Sequence, residues 1–441
     1  MTPVAVIGAG LAGCEAAWAL AERGVSVTLH EMKPQKYSPA HKKPGFAELV
    51  CSNSLKADRL GSAAGLLKAE MEAMGSLTIR TARECAVPAG GALAVDRDEF
   101  SERITKAVLA HPGITVEYGE CVGVPAEGPV VVATGPLTSD ALCAEITRLT
   151  GAERLSFYDA AAPIVTFESV DMQKAFFAAR YGRGEDDYIN CPMNREQYEA
   201  FHEALVGAER VPLHDFEKLT VYEGCMPVEV LAARGKDAIR YGPLKPVGLT
   251  DPATGRRPWA VVQLRAENRE GTLYNLVGFQ TNLRFGEQKR VFSMIPGLEH
   301  AVFARYGVMH RNTFLDSPRL LDARMRLRAL PRVRFAGQIT GVEGYIESAM
   351  SGIYAGIDLA RELKGEAPLV LPPVTMSGAL LRHVCDSGVK DFQPMGCNMG
   401  ILPPLEEKIR DKQARYLALA ERSMKAMEAL PLSPILDPGG N

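Results

Sequence analysis

The feature that most constrains this chain is packed into its first 31 residues: a strand, a glycine loop, a helix, a second strand and an acid, in that order. Pro3-Val4-Ala5-Val6-Ile7 reads as a short buried parallel strand. It runs straight into Gly8-Ala9-Gly10-Leu11-Ala12-Gly13, a G-x-G-x-x-G loop. Cys14 to Arg23 then carries Ala16, Ala17 and Leu20 on one helical face, and Gly24 closes that helix. Val25 to Leu29 forms the next strand, and Glu31 ends it about 20 residues past the glycines, where an acid can hold a ribose hydroxyl. One glycine makes the turn, one admits a pyrophosphate to the backbone, and one lets helix and strand pack closely. The helix N-terminus offers free N–H groups and a positive dipole end to the phosphates. A lone glycine loop often only turns the chain. Five elements in the right order make a dinucleotide-binding βαβ unit.

Segments far downstream select FAD over NAD. Val130-Val131-Val132-Ala133-Thr134-Gly135 is a second buried strand ending in small residues, and it resembles the ATG strand of two-dinucleotide-type flavoproteins. Arg334-Phe335-Ala336-Gly337 is a third such strand, followed by Gln338 to Tyr345 and by a helix from about Ile346 to Leu363 rich in Ala, Gly and Ser. Small residues let that helix sit close against a sheet or a flat cofactor, and its N-terminus would stabilise negative charge on a reduced flavin. The expected cofactor-binding residues are therefore Gly8, Ala9, Gly10, Leu11, Ala12, Gly13, Glu31, Gly135, Gly337, Glu343, Gly344 and Glu347. Flavoproteins of this type usually carry an acid directly after the third-strand glycine; here it is Gln338, which points to a subfamily.

At 441 residues the chain exceeds one compact core. The expected class is α/β, a Rossmann-type FAD-binding domain with an inserted α+β domain. Residues 1–184 form its first part, 185–273 the insert, and 274–441 its second part with C-terminal helices. Within the insert, Arg195 to Glu209 reads as a helix, and Leu219 to Tyr222 and Ala260 to Leu264 read as strands. Leu405 to Leu430 reads as a last helix carrying Lys408, Arg410, Lys412, Arg415, Arg422 and Lys425. A solvated helix face accounts for those charges better than a nucleic-acid contact does. A net charge of -3 neither announces nor excludes an RNA partner. No apolar run has the length of a membrane span, and no basic leader precedes the first strand. Nine cysteines without repeated spacing fit reduced thiols in a cytoplasm, and no pattern of Cys and His suits a metal.

Cys51 stands in Phe46 to Lys56, followed by Ser52, Asn53 and Ser54, which can cap a helix and bring free N–H groups to the thiol. A buried structural cysteine is the alternative. Cys225, beside Gly224 and ahead of Pro227, reads more simply as structural when taken alone. Cys14, Cys85, Cys121 and Cys143 lie in ordinary segments, and nothing marks Cys191, Cys385 or Cys397. His310, in Tyr306 to Phe314, is the most suggestive histidine, with a structural role as the alternative.

Taken together, these stretches resemble the folate- and FAD-dependent tRNA (uracil-5-)-methyltransferase family across essentially the whole chain. The resemblance rests on GAGLAG from Gly8, CSNSL from Cys51, VPAGGALAVDR from Val87 and YINCPM from Tyr188. It continues through GPLKPVGL from Gly242, VGFQTN from Val277, YGVMHRNT from Tyr306 and GVEGYIESA from Gly341. It implies that a thiolate adds to uracil carbon 6 of the T-loop uridine, uridine 54, and that the resulting enolate attacks a one-carbon unit from 5,10-methylenetetrahydrofolate. Two further electrons come from reduced FAD, recharged by NADH or NADPH. By the same resemblance Cys51 and Cys225 are catalytic, with Cys225 favoured for carbon 6 and Cys51 for the flavin side. His310 and Asn312 bind folate. The stacked uridine must be extruded from tRNA, and Lys42, Lys43, Lys56, Arg183, Lys245 and the last helix are candidate phosphate contacts. No obligate protein partner is expected. The alternatives are the related flavoenzyme of wobble-uridine carboxymethylaminomethyl modification, whose family is longer, and a small-molecule flavin oxidoreductase.

Overall fold

The computed structural model describes residues 2–151, 162–182, 186–211, 226–307, 313–389 and 392–432, and the backbone alone of 155–160 and 309–312. Its first core is a six-stranded sheet in the order Arg326–Leu327, Leu330–Phe335, Val130–Val132, Val4–Ile7, Val27–Glu31, Ile114–Tyr118. All neighbours run parallel except the first pair, an antiparallel hairpin. Val130, Val131 and Val132 are fully buried, as strands covered on both faces must be. The strand order places the sheet's two halves on either side of Val4–Ile7, so a ligand site is expected at the carboxyl ends there.

The glycine-loop helix spans Leu11–Ala21, and its partner is the long helix Tyr345–Leu363. Small residues in the second helix serve this helix pair. A Cβ on Gly352 would lie 2.1 Å from the Ala12 carbonyl oxygen, and one on Gly356 would lie 2.7 Å from that of Ala16. Only glycine admits so close an approach.

The second core is a six-stranded sheet in the order Phe176–Phe177, Tyr188–Met193, Ala260–Ala266, Leu273–Leu276, Ile164–Thr166, Phe303–Arg305, antiparallel throughout. Phe201 from the helix Arg195–Val206 packs beside Phe279 and Phe292 in its apolar interior. That helix begins in a capping box between Asn194 and Gln197, the reason it starts where the sequence places it. Three of the six strands, Ile164–Thr166, Phe176–Phe177 and Phe303–Arg305, lie outside the expected limits 185–273, so we propose to draw the inserted unit by its sheet, from Ile164 to Arg305. The expected strand at 219–222 lies outside the described residues.

The last helix is Lys412–Glu428, shorter than the expected 405–430, because Asp411 caps it by accepting from the Ala414 amide at 2.7 Å. Its Arg422 donates to the carbonyls of Pro403 and Pro404, and Arg415 to that of Ile409. Among the described residues no helix is long and apolar enough to cross a membrane.

Lys68, in the helix Ala63–Ala73, is fully buried and donates to the Leu55 and Ala57 carbonyls at 2.7 Å each. It thereby anchors the strand Ser54–Ala57 that follows Cys51. Burial lowers its pKa to about 8. The unfolded chain keeps that proton up to about pH 10.4. Between those values the unfolded state binds more protons, so stability rises with pH. The stability difference between wild type and Lys68→Met should grow in favour of wild type by about 2–3 kcal/mol from pH 7.5 to pH 10. Denaturant titrations at both pH values measure it; a constant difference would contradict the burial of the charge.

Candidate active site at the strand ends

The carboxyl ends of the parallel strands open onto a cavity of about 1100 Å³. Gly8, Gly10, Leu11, Ala12, Glu31, Gly135 and Gly337 line it. Gly8 adopts φ +99°, and a Cβ there would lie 2.8 Å from the Ala133 oxygen. A Cβ on Gly13 would lie 1.7 Å from the Gly8 oxygen, so Gly13 supports the loop from beneath. The Ala9 amide donates to Glu31 Oε2 at 2.8 Å and the Lys33 amide to Glu31 Oε1 at 2.9 Å. That carboxylate is thus fixed at the cavity wall. The wall also includes Thr134 of the second strand, Gln338 in place of the usual acid, and Lys33, His41, Glu48, Tyr345 and Ser348, to which the sequence assigns no role. Lys33 Nζ donates to the Gly45 oxygen at 2.5 Å and lies 3.6 Å from Glu48, and burial lowers the pKa of His41. Glycines that cannot carry a Cβ and a fixed acid at the second strand end, lining one cavity at the carboxyl ends of the strands, fit FAD.

Cys51 is half-buried beside this wall, next to two residues that line it, Val50 and Tyr345. Its Sγ lies 2.9 Å from Tyr345 Oη, and its own amide donates to the same oxygen at 2.8 Å. The Ser52 amide also points there, at 3.3 Å. Since Oη accepts from the backbone, its single proton is available to the sulfur. Burial raises the pKa of Tyr345 well above the ordinary tyrosine value, with the Cys51 charge adding to the effect, so the hydroxyl stays protonated. Arg97 donates to the Leu49 oxygen at 2.6 Å and to Glu267 at 2.6 Å, and Arg305 donates to the Val50 oxygen at 3.0 Å. Two buried guanidiniums therefore hold the backbone immediately before the thiol. Burial and the neighbouring Arg97 lower Arg305 to about 10.

The expected helix cap after Cys51 is not present. Ser54–Ala57 is a strand, and Asn53 donates instead to the Val95 and Ala266 carbonyls at 3.0 and 2.9 Å. With carbonyls from two other strands to satisfy, Asn53 pulls the chain into extended form, and the polar run ties the first core to the second. What surrounds the thiol is a tyrosine and two arginines, not a helix N-terminus. Replacing Tyr345 by Phe should lower methyl-transfer turnover about 10- to 100-fold with flavin content unchanged, because a hydrogen bond to a charged partner is worth about 1.5–3 kcal/mol. Wild-type turnover in that variant would remove Tyr345 from the account.

Glu343, Gly344 and Glu347 stand behind the wall. Glu343 accepts from Gln338 Nε2 at 3.1 Å, so the acid missing at 338 is held against it from five residues on. Glu347 is fully buried and pairs with Lys56 Nζ at 2.6 Å, which engages that lysine within the fold. Gly344 lies where a Cβ would meet Glu347 Oε2 at 2.2 Å. Lys43 is likewise paired, with Asp98. Cys225 and Arg183 lie outside the described residues, as do the side chains of His310 and Asn312. The backbone strand carrying those two, Met309–Phe314, pairs with Leu155–Ala160, and the Thr313 amide donates to the oxygen of Pro136, a cavity residue. Burial raises Cys85, Cys191 and Cys385 to about 12 and also raises Cys14, Cys121 and Cys397, so these thiols stay protonated.

A doubly wound parallel sheet, a glycine loop at its switch point and a fixed acid define a Rossmann-type flavoprotein fold with an inserted antiparallel unit. Residues 3–367 match the family described as glucose inhibited division protein A. The methylenetetrahydrofolate–tRNA-(uracil-5-)-methyltransferase TrmFO of Moorella thermoacetica is 58% identical over 422 residues, covering 96% of this chain and 97% of that protein. TrmFO of Pelobacter propionicus is 59% identical over 424 residues, covering 96% and 93%. Among solved structures, GidA of Aquifex aeolicus in its form II crystal superposes with a TM-score of 0.72 at 16% identity, over 98% of this chain and 74% of that one. The chain belongs to the methylenetetrahydrofolate–tRNA-(uracil-5-)-methyltransferase family.

Proposed function

We propose that this chain methylates carbon 5 of the T-loop uridine, uridine 54, in tRNA, taking the carbon from 5,10-methylenetetrahydrofolate. Bound FAD supplies the two electrons that bring the carbon to the methyl level, and NADH or NADPH restores them. The observation that carries this reading is the Cys51 thiol held by Tyr345, a residue of the dinucleotide cavity's wall, in a chain of this family. Gly8, Gly10 and Glu31 hold the dinucleotide at its pyrophosphate and ribose, and Gly135, Gly337 and Gln338 face its other end. Tyr345 keeps a proton on its oxygen for the Cys51 sulfur, while Arg97 and Arg305 fix the loop so that the thiol stays beside this wall residue. That placement supports a flavin-side role for Cys51. The thiolate that adds to uracil carbon 6 is then Cys225. His310 and Asn312 hold the folate, and the strand that bears them passes the cavity wall at Pro136, which supports this assignment.

The wobble-uridine alternative is not favoured, because relatives named as uracil-5-methyltransferases match nearly all of the chain. The test is stopped-flow absorbance of the flavin. NADH or NADPH should bleach it, and methylenetetrahydrofolate together with a tRNA transcript should restore the colour while 5-methyluridine accumulates. Restoration without tRNA, or without folate, would point to the small-molecule oxidoreductase instead.

A further inference from the structure

A second cavity, of about 900 Å³, lies on the seam between the two cores. Gly90 and Gly91, in the turn joining strands Ala86–Val87 and Ala92–Val95, form one side of it. Arg180, Tyr181, Tyr188 and Gln263 of the inserted unit form the other, and Arg59 completes the wall. The cavity shares no lining residue with the one that fits FAD.

Its chemistry is specific. Arg180 is half-buried, and its donors go to Gln263 Oε1 at 2.7 Å and to the carbonyls of Lys245 and Val247. Arg59 is exposed, and neither arginine has a carboxylate within ion-pairing distance among the described residues. Exposed Lys245 adds a third cation beside Arg180. Asp187 is turned onto the Gly90 amide, from which it accepts at 2.6 Å. Tyr181 is 57% exposed, although it occupies the left-handed region at φ 61°. Its ring lies over Gly248, where a Cβ would sit 2.9 Å from Cδ1 and Cε1, so one face is backed by bare backbone. The wall also leads to the thiol: Tyr188 lies opposite Arg265 on the neighbouring strand, and Arg265 Nη2 donates to the hydroxyl oxygen of Ser52, the residue after Cys51, at 2.9 Å.

A backed aromatic ring beside two guanidiniums with no carboxylate partner among the described residues matches a nucleobase and its phosphate. We propose that this cavity binds one nucleotide unit, its base stacked on Tyr181 and its phosphate between Arg59 and Arg180. The inference rests on the tRNA-methylating reading above. That chemistry has two sources here: a residue of the tRNA, or half of the nicotinamide dinucleotide.

The FAD-loaded full chain decides it through Tyr181→Ala and Arg59→Gln, with flavin absorbance as the check on folding. One arm measures the Kd of a tRNA transcript, and the other the KM for NADH and NADPH in flavin reduction. A rise of about tenfold in the transcript Kd, with the reduction KM unchanged, assigns the cavity to RNA. Arg59→Gln should then also lower the salt slope of binding by about one. The same rise confined to the reduction KM assigns it to the reductant. Both constants unchanged in both variants overturn the proposal. Wild-type protein that makes no 5-methyluridine overturns the reaction assignment instead, and the two arms still decide the cavity. Tyr181→Phe keeps the ring and should behave as wild type in the affected arm; a loss there too would mean a structural role and also overturn it.

Discussion

Purified Gly13→Ala protein is expected to be colourless. The Cβ it introduces has 1.7 Å to the Gly8 carbonyl oxygen, and that oxygen belongs to backbone, which cannot swing aside as a side chain would. The glycine loop must move, and with it the Ala9 amide that fixes Glu31. Flavin affinity should fall by more than about 100-fold, and overpacking should cost about 3 kcal/mol of stability. Gly10→Ala separates the two effects. Nothing stands within 4 Å of a Cβ at Gly10, which faces the cavity, so that variant should lose affinity while keeping wild-type stability. Absorbance at the flavin band and denaturant titration read the two quantities independently. A yellow, stable Gly13→Ala protein would mean that the loop is not held as described.

Cys225→Ala is expected to form no covalent adduct with tRNA containing 5-fluorouracil, and its turnover should fall on the order of a thousandfold or more, as removal of a nucleophile does. Cys51→Ala should retain the adduct while losing turnover, because Cys51 stands against Tyr345, which lines the cavity. Gel-shift of the protein–RNA band under denaturing conditions separates the outcomes. An adduct lost with Cys51 and kept without Cys225 would exchange their roles.

The parts of this molecule that were legible in its sequence are those whose physics is local. The strand, glycine loop, helix and Glu31 follow one another without interruption, so their periodicity and spacing are enough to define the βαβ unit. The strand at Val130 could be read as buried because a parallel strand covered on both faces is apolar throughout. Contacts that join distant residues left no such trace. Cys51 and Tyr345 meet across 294 positions, and nothing around either residue announces the other. Ser52-Asn53-Ser54 has the composition of a helix cap, yet Asn53 is claimed by carbonyls of Val95 and Ala266. The second sheet also takes in Ile164–Thr166 and Phe303–Arg305, from segments outside 185–273 that carry no compositional break. Glu343 was legible as a glycine-flanked acid near the third strand, but its hold on Gln338 was not.

The central claim is that folate carbon reaches carbon 5 of a tRNA uracil on this protein. The most direct measurement incubates the flavin-loaded chain with unmodified tRNA transcript, carbon-14 methylenetetrahydrofolate and reduced nicotinamide, then maps the label after nucleoside digestion. Label in 5-methyluridine from the T-loop is the result the account predicts. Label at the wobble uridine, or none in a transcript that binds, would contradict it.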